Sequence, residues 1–149
     1  MEPWTHSEVE AVYGAASGRC LPLPVFLQRV QAGFPNPADD FLIEGYLDLN
    51  EHLVRRPAAT YYLRVAGTSM IGAGIHPGDL LVVDRAIEPC DGHVVVAVLD
   101  GELTVKRLRL DGERVWLEPD NPAFAPLRVA PHSQFEIWGV VSAVIHPLL

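Results

Sequence analysis

The chain has 149 residues, 49% hydrophobic and 20% charged, enough apolar material for one domain with a core, which excludes a disordered chain. Its formal charge of −8 excludes strong direct DNA binding through a dedicated basic surface, because such affinity comes largely from neutralising phosphates. It does not exclude a protein partner that itself binds DNA.

Thirteen prolines and twelve glycines favour a turn-rich, mainly β architecture over a helical bundle. The N-terminal Met1-Glu2-Pro3-Trp4-Thr5-His6 has no positive charge and no apolar stretch behind it, so it does not read as a signal peptide. The longest strongly apolar run, Val94 to Leu99, is far short of a membrane span. Cys20 and Cys90 form no CxxC or His-Cys cluster, so the expectation is two free thiols in a reducing cytoplasm and no structural zinc.

In chain order, Ser7-Glu8-Val9-Glu10 has the form of a capping box and predicts a short helix continuing through Val12 and Tyr13. Gly14 to Gly18 reads as a break, and Leu21 to Leu27 as the lead into one more helical turn near Val30. Residues 1–32 are too few for a core of their own and predict an arm, either mobile or packed on another element. Residues 33–47, with Pro35, Asn36, Pro37, Asp39 and Asp40, predict an exposed, extended connector of the kind a protease cleft accepts.

A β-rich unit is expected over 48–149. It opens with a short helix from Asp48 through Arg55, stopped by Pro57. Strands are then expected over Thr60–Val65, Leu80–Asp84, His93–Leu99, Glu102–Leu110, Val115–Glu118 and Phe135–Val144. Asp100-Gly101 between two apolar runs is the strongest hairpin signal, and Asp111-Gly112 marks a second turn.

Two residues in this unit carry candidate chemistry. Ser69 lies in the tight Gly67-Thr68-Ser69-Met70 turn behind a predicted strand, where a hydroxyl can be exposed while turn N–H groups face a developing oxyanion. Gly, Thr and Ser are also ordinary turn residues, and Ile71 stands where a GxSxG elbow needs glycine. Lys106 lies in a strand whose alternation puts Thr104, Lys106, Leu108 and Leu110 on one face and Val105, Arg107 and Arg109 on the other. An inward lysine is costly. Burial would favour the neutral amine, the only form able to act as base toward a serine.

The histidines show no triad spacing, and His76 and His93 read as surface residues. Asp79 and Asp84 flank a strand and read as turn residues, and Asp39-Asp40 as a solvated charge pair. No phosphate-binding loop or metal motif appears, so neither cofactor nor metal is expected.

From about Leu23 to the C-terminus the chain resembles the LexA/UmuD family of self-cleaving serine–lysine peptidases. The resemblance rests on Val30-Gln31-Ala32-Gly33-Phe34-Pro35, Asp48-Leu49-Asn50, Pro57-Ala58-Ala59-Thr60, Gly67-Thr68-Ser69-Met70, Gly78 to Asp84, Asp100 to Lys106 and Trp138-Gly139-Val140-Val141. It implies a domain of strongly twisted antiparallel sheets preceded by a flexible arm. It further implies that Ser69 attacks the carbonyl of Ala32, that Lys106 is the general base, and that the backbone N–H groups of Thr68 and Ser69 form the oxyanion hole. Ala32-Gly33 would be the cleaved bond.

The resemblance also implies a homodimer stimulated by a RecA–single-stranded DNA filament, whose shortened form joins a UmuC-type polymerase subunit in translesion synthesis. A LexA-like self-cleaving transcriptional repressor is the alternative, disfavoured because a DNA-binding domain needs roughly 60 residues. A signal-peptidase-like enzyme and a non-enzymatic binding module remain further readings.

Overall fold

A computed structural model describes residues 9–14, 18–26 and 43–149. Ala32-Gly33 and the predicted helical turn near Val30 lie outside the described residues.

The main body is one eight-stranded antiparallel sheet. Its strands are β1 (Val9–Gly14), β4 (Thr60–Val65), β5 (Leu80–Asp84), β6 (Val94–Leu99), β7 (Glu102–Asp111), β8 (Arg114–Glu118), β9 (Leu127–Arg128) and β10 (Phe135–Ile145). They lie in the order β1-β4-β5-β10-β6-β7-β8-β9. A separate two-stranded sheet pairs β2 (Pro22–Phe26) with β3 (Ile43–Asp48). The mainly β expectation is thus met, and the strands expected from Thr60 onward all form, with ends shifted by at most one residue.

The β6–β7 hairpin closes at Asp100-Gly101, where both residues have positive φ, 49° and 85°. That is the conformation a two-residue turn needs to match the strands' right-handed twist. In β10, register shifts between Ile137 and Gly139 and between Val141 and Ala143 add curvature where this strand spans β5 and β6. The sheet curls far enough for β1, at one edge, to contact β7.

This curl separates two buried clusters. One holds Leu63, Val65, Met70, Ile75, Leu81, Val83, Val96 and Val105; the other holds Val95, Ala97, Leu108, Leu117 and Val140. Val105, on the face opposite Lys106 with Arg107 and Arg109, is nonetheless fully buried, because both faces of β7 are covered at this point. Leu110, expected inward with Leu108, is exposed near the strand's end.

One expectation for the N-terminal segment is overturned. Val9–Gly14 is a strand rather than a helix, because pairing with the edge of β4 offers its backbone a sheet ladder. Pro22–Phe26, expected as the lead into a helical turn, is a strand paired with β3. Ile43–Asp48 is extended as expected.

The short helix α1 (Leu49–Leu53) begins as expected but ends two residues before Arg55. Asp48 caps it by accepting from the N–H groups of Asn50 and Glu51, and it also accepts from Leu21. The Leu21 N–H, followed by that of Glu51, holds the Asp48 carboxyl below its ordinary value.

Candidate active site

The Ser69 turn is shaped by what leaves β4. Val65 and the Gly78-Asp79 end of the connection hold each other through Val65 N to Asp79 O, 2.9 Å, and Gly78 N to Val65 O, 2.7 Å. Between these points the chain must reverse tightly. Gly67 takes φ 97°, a conformation that favours glycine, and a single 3₁₀ turn follows over Ile71–Ala73.

The turn is also tied from outside. The Gly72 N–H donates to the Asp120 carbonyl at 2.6 Å, and Asn121 Nδ2 donates to the Thr68 carbonyl at 2.9 Å. A Cβ on Gly72 would lie 2.5 Å from the Asp120 oxygen, so this approach is open to glycine alone.

Lys106 arrives from β7. In the sheet order β5, β10 and β6 lie between β4 and β7, so the serine and lysine meet only because the sheet curls. Lys106 Nζ lies 3.0 Å from Ser69 Oγ, 2.8 Å from Thr104 Oγ1 and 3.1 Å from the Val105 carbonyl. Ser69 is 2% exposed and Lys106 1% exposed. The hydroxyl and amine are within proton-transfer distance and nearly shut off from bulk water.

Beside Ser69 lies a shallow surface recess lined by Val65, Ala66, Gly67, Met70, Ile75 and Val105. Its lining is mostly apolar. Among the described residues, the Thr68 N–H has no hydrogen-bond acceptor.

Three contributors escape single-sequence reading. Thr104 holds the amine from the same strand face. Arg107, next to Lys106 but pointing away, makes a two-pronged ion pair with Asp120 whose shortest contact is 2.5 Å, and donates to the Gly92 carbonyl at 2.8 Å. The hydrogen bond with Asp120 raises the Arg107 guanidinium above its ordinary value, against the opposing effect of burial. Asp120 thereby links the strand carrying the lysine to the turn carrying the serine. No local motif signals this contact, which spans distant parts of the chain.

Elsewhere the structure sorts the remaining polar residues. Asp84 serves a turn, accepting from Ala86 N, and also pairs with Arg56 at 2.7 Å. His93 Nδ1 accepts from the Cys90 N–H, and both cysteines are free and exposed. Asp79 accepts from the His76 N–H as a turn residue does, but it also meets His146, at 2.5 Å. His76, His146 and Asp79 thus form a cluster that the sequence spacing did not suggest. Among the described residues, no helix is long and apolar enough to cross a membrane.

Comparison with known proteins agrees with this geometry. Residues 24–142 match the family model described as Peptidase S24-like. The chain is 50% identical over 123 residues to Protein SamA of Salmonella typhimurium, covering 83% of this chain and 84% of that one. It is 43% identical over 144 residues to Protein MucA of Escherichia coli, covering 95% and 97%. To the LexA repressor of Anaeromyxobacter dehalogenans it is 41% identical over 133 residues, covering 87% of this chain and 57% of the repressor. A buried serine and lysine in contact on a curled antiparallel sheet, together with these similarities, place the chain in the Peptidase S24-like family, among its LexA/UmuD-type members.

Proposed function

We propose that this protein is a serine peptidase acting on itself, with Ser69 as nucleophile and Lys106 as general base. The observation that carries this reading is the 3.0 Å approach of Nζ to Oγ with both side chains buried. Water would otherwise solvate the ammonium form and leave the hydroxyl unactivated.

The bond to be cut is Ala32-Gly33. Ser69 Oγ adds to the Ala32 carbonyl carbon as neutral Lys106 takes the hydroxyl proton. The backbone N–H groups of Thr68 and Ser69 face the resulting oxyanion; the Thr68 N–H, with no acceptor among the described residues, is available for this role. The lysine ammonium then returns a proton to the departing Gly33 amine, leaving an ester between Ser69 and Ala32. Water hydrolyses that ester and regenerates the serine. The apolar side chains beside Ser69 are compatible in character with an alanine at the cleaved bond. Because the bond belongs to the same polypeptide or its dimer partner, tethering supplies a high local concentration, and a modest base suffices for one turnover.

In the cell, this cleavage would be stimulated by a RecA–single-stranded DNA filament. The product Gly33–Leu149 would remain a cytoplasmic homodimer that joins a UmuC-type polymerase subunit for translesion synthesis. The net charge of −8 is consistent with a subunit that reaches DNA through partners. The higher identity to SamA than to the LexA repressor favours this reading over a repressor.

The test is incubation of purified protein at about pH 9–10, near the ordinary lysine range. Slow conversion into Met1–Ala32 and Gly33–Leu149 is expected, with Ser69→Ala and Lys106→Ala staying intact. Cleavage at a different bond, or unchanged cleavage in either variant, would refute the mechanism.

A further inference from the structure

At the far end of the connection that begins at the Ser69 turn, three metal-capable side chains converge from separate elements. His76 lies in the loop after the 3₁₀ turn, Asp79 immediately before β5, and His146 immediately after β10. One donor atom from each lies within 4.8 Å of the others. The two imidazole rings are 4.7 Å apart between centroids, on the same carboxylate. Asp79 is 1% exposed, and its two oxygens are divided between the histidines: Oδ1 lies 2.5 Å from His146 Nδ1, and Oδ2 3.7 Å from His76 Nδ1.

A hydrogen-bond account of this cluster leaves one atom over. His76 Nδ1 is buried and, among the described residues, has no hydrogen-bond partner, although Asp79 Oδ2 is nearby; that oxygen instead accepts the His76 backbone N–H at 2.8 Å. Buried polar atoms in folded proteins nearly always have partners, so an orphaned nitrogen aimed at a carboxylate and a second imidazole asks for a cation between them.

We propose that His76, Asp79 and His146 bind a divalent transition-metal ion, with zinc as the best match. Two imidazole nitrogens and one carboxylate oxygen form a borderline donor set that suits Zn²⁺, Co²⁺ or Ni²⁺ and does not suit Mg²⁺ or Ca²⁺, which take mostly oxygen ligands. Zinc bonds of about 2.0–2.2 Å in tetrahedral geometry put donors roughly 3.3 Å apart. The 3.7 Å separation of His76 from Asp79 lies near that value, whereas the 2.5 Å contact of His146 with Asp79 must open by about 0.8 Å to admit the ion. His146 is 44% exposed just past the end of its strand, so its ring can withdraw from Asp79 to admit the ion. The half-exposed histidines leave a fourth position for water.

Bound metal would clip the end of β10 to the β4–β5 connection. Ile75, next to His76, lines the recess beside Ser69, so the clip would brace the back of the proposed cleavage site. This assignment stands independently of whether Ser69 cuts the chain.

The experiment uses the full chain stripped with a chelator and titrated with ZnCl₂ by calorimetry, then with CoCl₂ by visible absorption. One ion per chain is expected, with a rise of several degrees in melting temperature in excess zinc, as binding to the folded state alone requires. His76→Gln and His146→Gln should each weaken binding at least about tenfold, the loss seen when a ligand set is damaged. Both should remove the thermal shift. A Cys20→Ser/Cys90→Ser double variant should bind as the parent does. The partly exposed His146 makes His146→Gln informative even if a change at buried Asp79 prevents folding. Failure of the parent to bind at micromolar zinc, undiminished binding in both histidine variants, or binding that disappears with the cysteines would each overturn the assignment.

Discussion

Ser69 and Asp79 lie at opposite ends of the same connection between β4 and β5, and each meets a basic side chain from a distant strand. At the Ser69 end the basic group is buried: Lys106 comes from the middle of β7 and is 1% exposed. At the Asp79 end the acid is buried, while His76 and His146 reach toward water. The first arrangement puts the burden of desolvation on the base, which suits proton abstraction. The second puts it on a carboxylate held by adjustable partners, which suits holding a cation. One loop thus carries a rigid reactive end and an adaptable structural end.

The sharpest way to separate the two ends is to remove the reactive groups. Ser69→Ala is expected to lower self-cleavage by at least about 10³-fold, the scale on which loss of a nucleophile acts, as followed by gel densitometry over days. Lys106→Met should abolish cleavage equally while leaving the melting temperature unchanged or higher, since an apolar chain of similar length replaces a buried amine. A Lys106→Met protein that cleaves normally would remove the distinction altogether.

The next effect concerns how the reactive end is anchored. Gly72→Ala would place a methyl group 2.5 Å from the Asp120 carbonyl oxygen. The clash should cost about 1–3 kcal/mol and slow cleavage, because Asp120 also holds Arg107 beside the lysine. Denaturant midpoints and cleavage rates measured on the same variant would show whether stability and activity fall together.

A smaller effect is expected at the other end. Burial works against the charged Asp79 carboxylate, but the His146 hydrogen bond, the His76 N–H and the charges of both imidazoles outweigh it and hold the carboxyl below its ordinary value. A carboxyl depressed on folding adds stability above its unfolded value of about 3.9 and loses it as pH falls through the folded value. Asp79→Asn should therefore cost about 1–2 kcal/mol at neutral pH and flatten the loss of stability below about pH 4. Urea midpoints taken from pH 7 down to pH 2.5 would check this, and an unchanged acid limb would show that the carboxylate does not contribute.

Much of the sheet was legible because its signals are local. Alternation in Thr60–Val65 and Glu102–Asp111, and Asp100-Gly101 between apolar runs, are written within a few residues. The buried lysine was legible for the same reason. What failed was anything decided by distant pairing. Ser7 to Glu10 has a helical start signal, yet the edge of β4 captures Val9–Gly14 as a strand. Val105 is covered because the sheet curls, which no alternation in β7 can show. The tie of Asp120 to Gly72 and the meeting of His76 with His146 depend on residues far apart in the chain, as the 2.5 Å contact of His146 with Asp79 does. Ser69 itself was one turn serine among several until Lys106 lay against it.

The strand order has a consequence for timing. β10, the latest of the described strands in chain order, lies between β5 and β6, and its Val140 pairs with Asp84 on one side and Val95 on the other, so the hydrogen-bonded path from the strand before Ser69 to the lysine strand runs through it. A nascent chain still held by the ribosome can emerge with both Ser69 and Lys106 and yet lack the strand that sets their spacing. The Ser69–Lys106 pair is assembled only once β10 has joined the sheet. On the proposed self-cleavage, insertion of β10 is the safety catch: the pair that would cut the chain does not exist until that strand is in place.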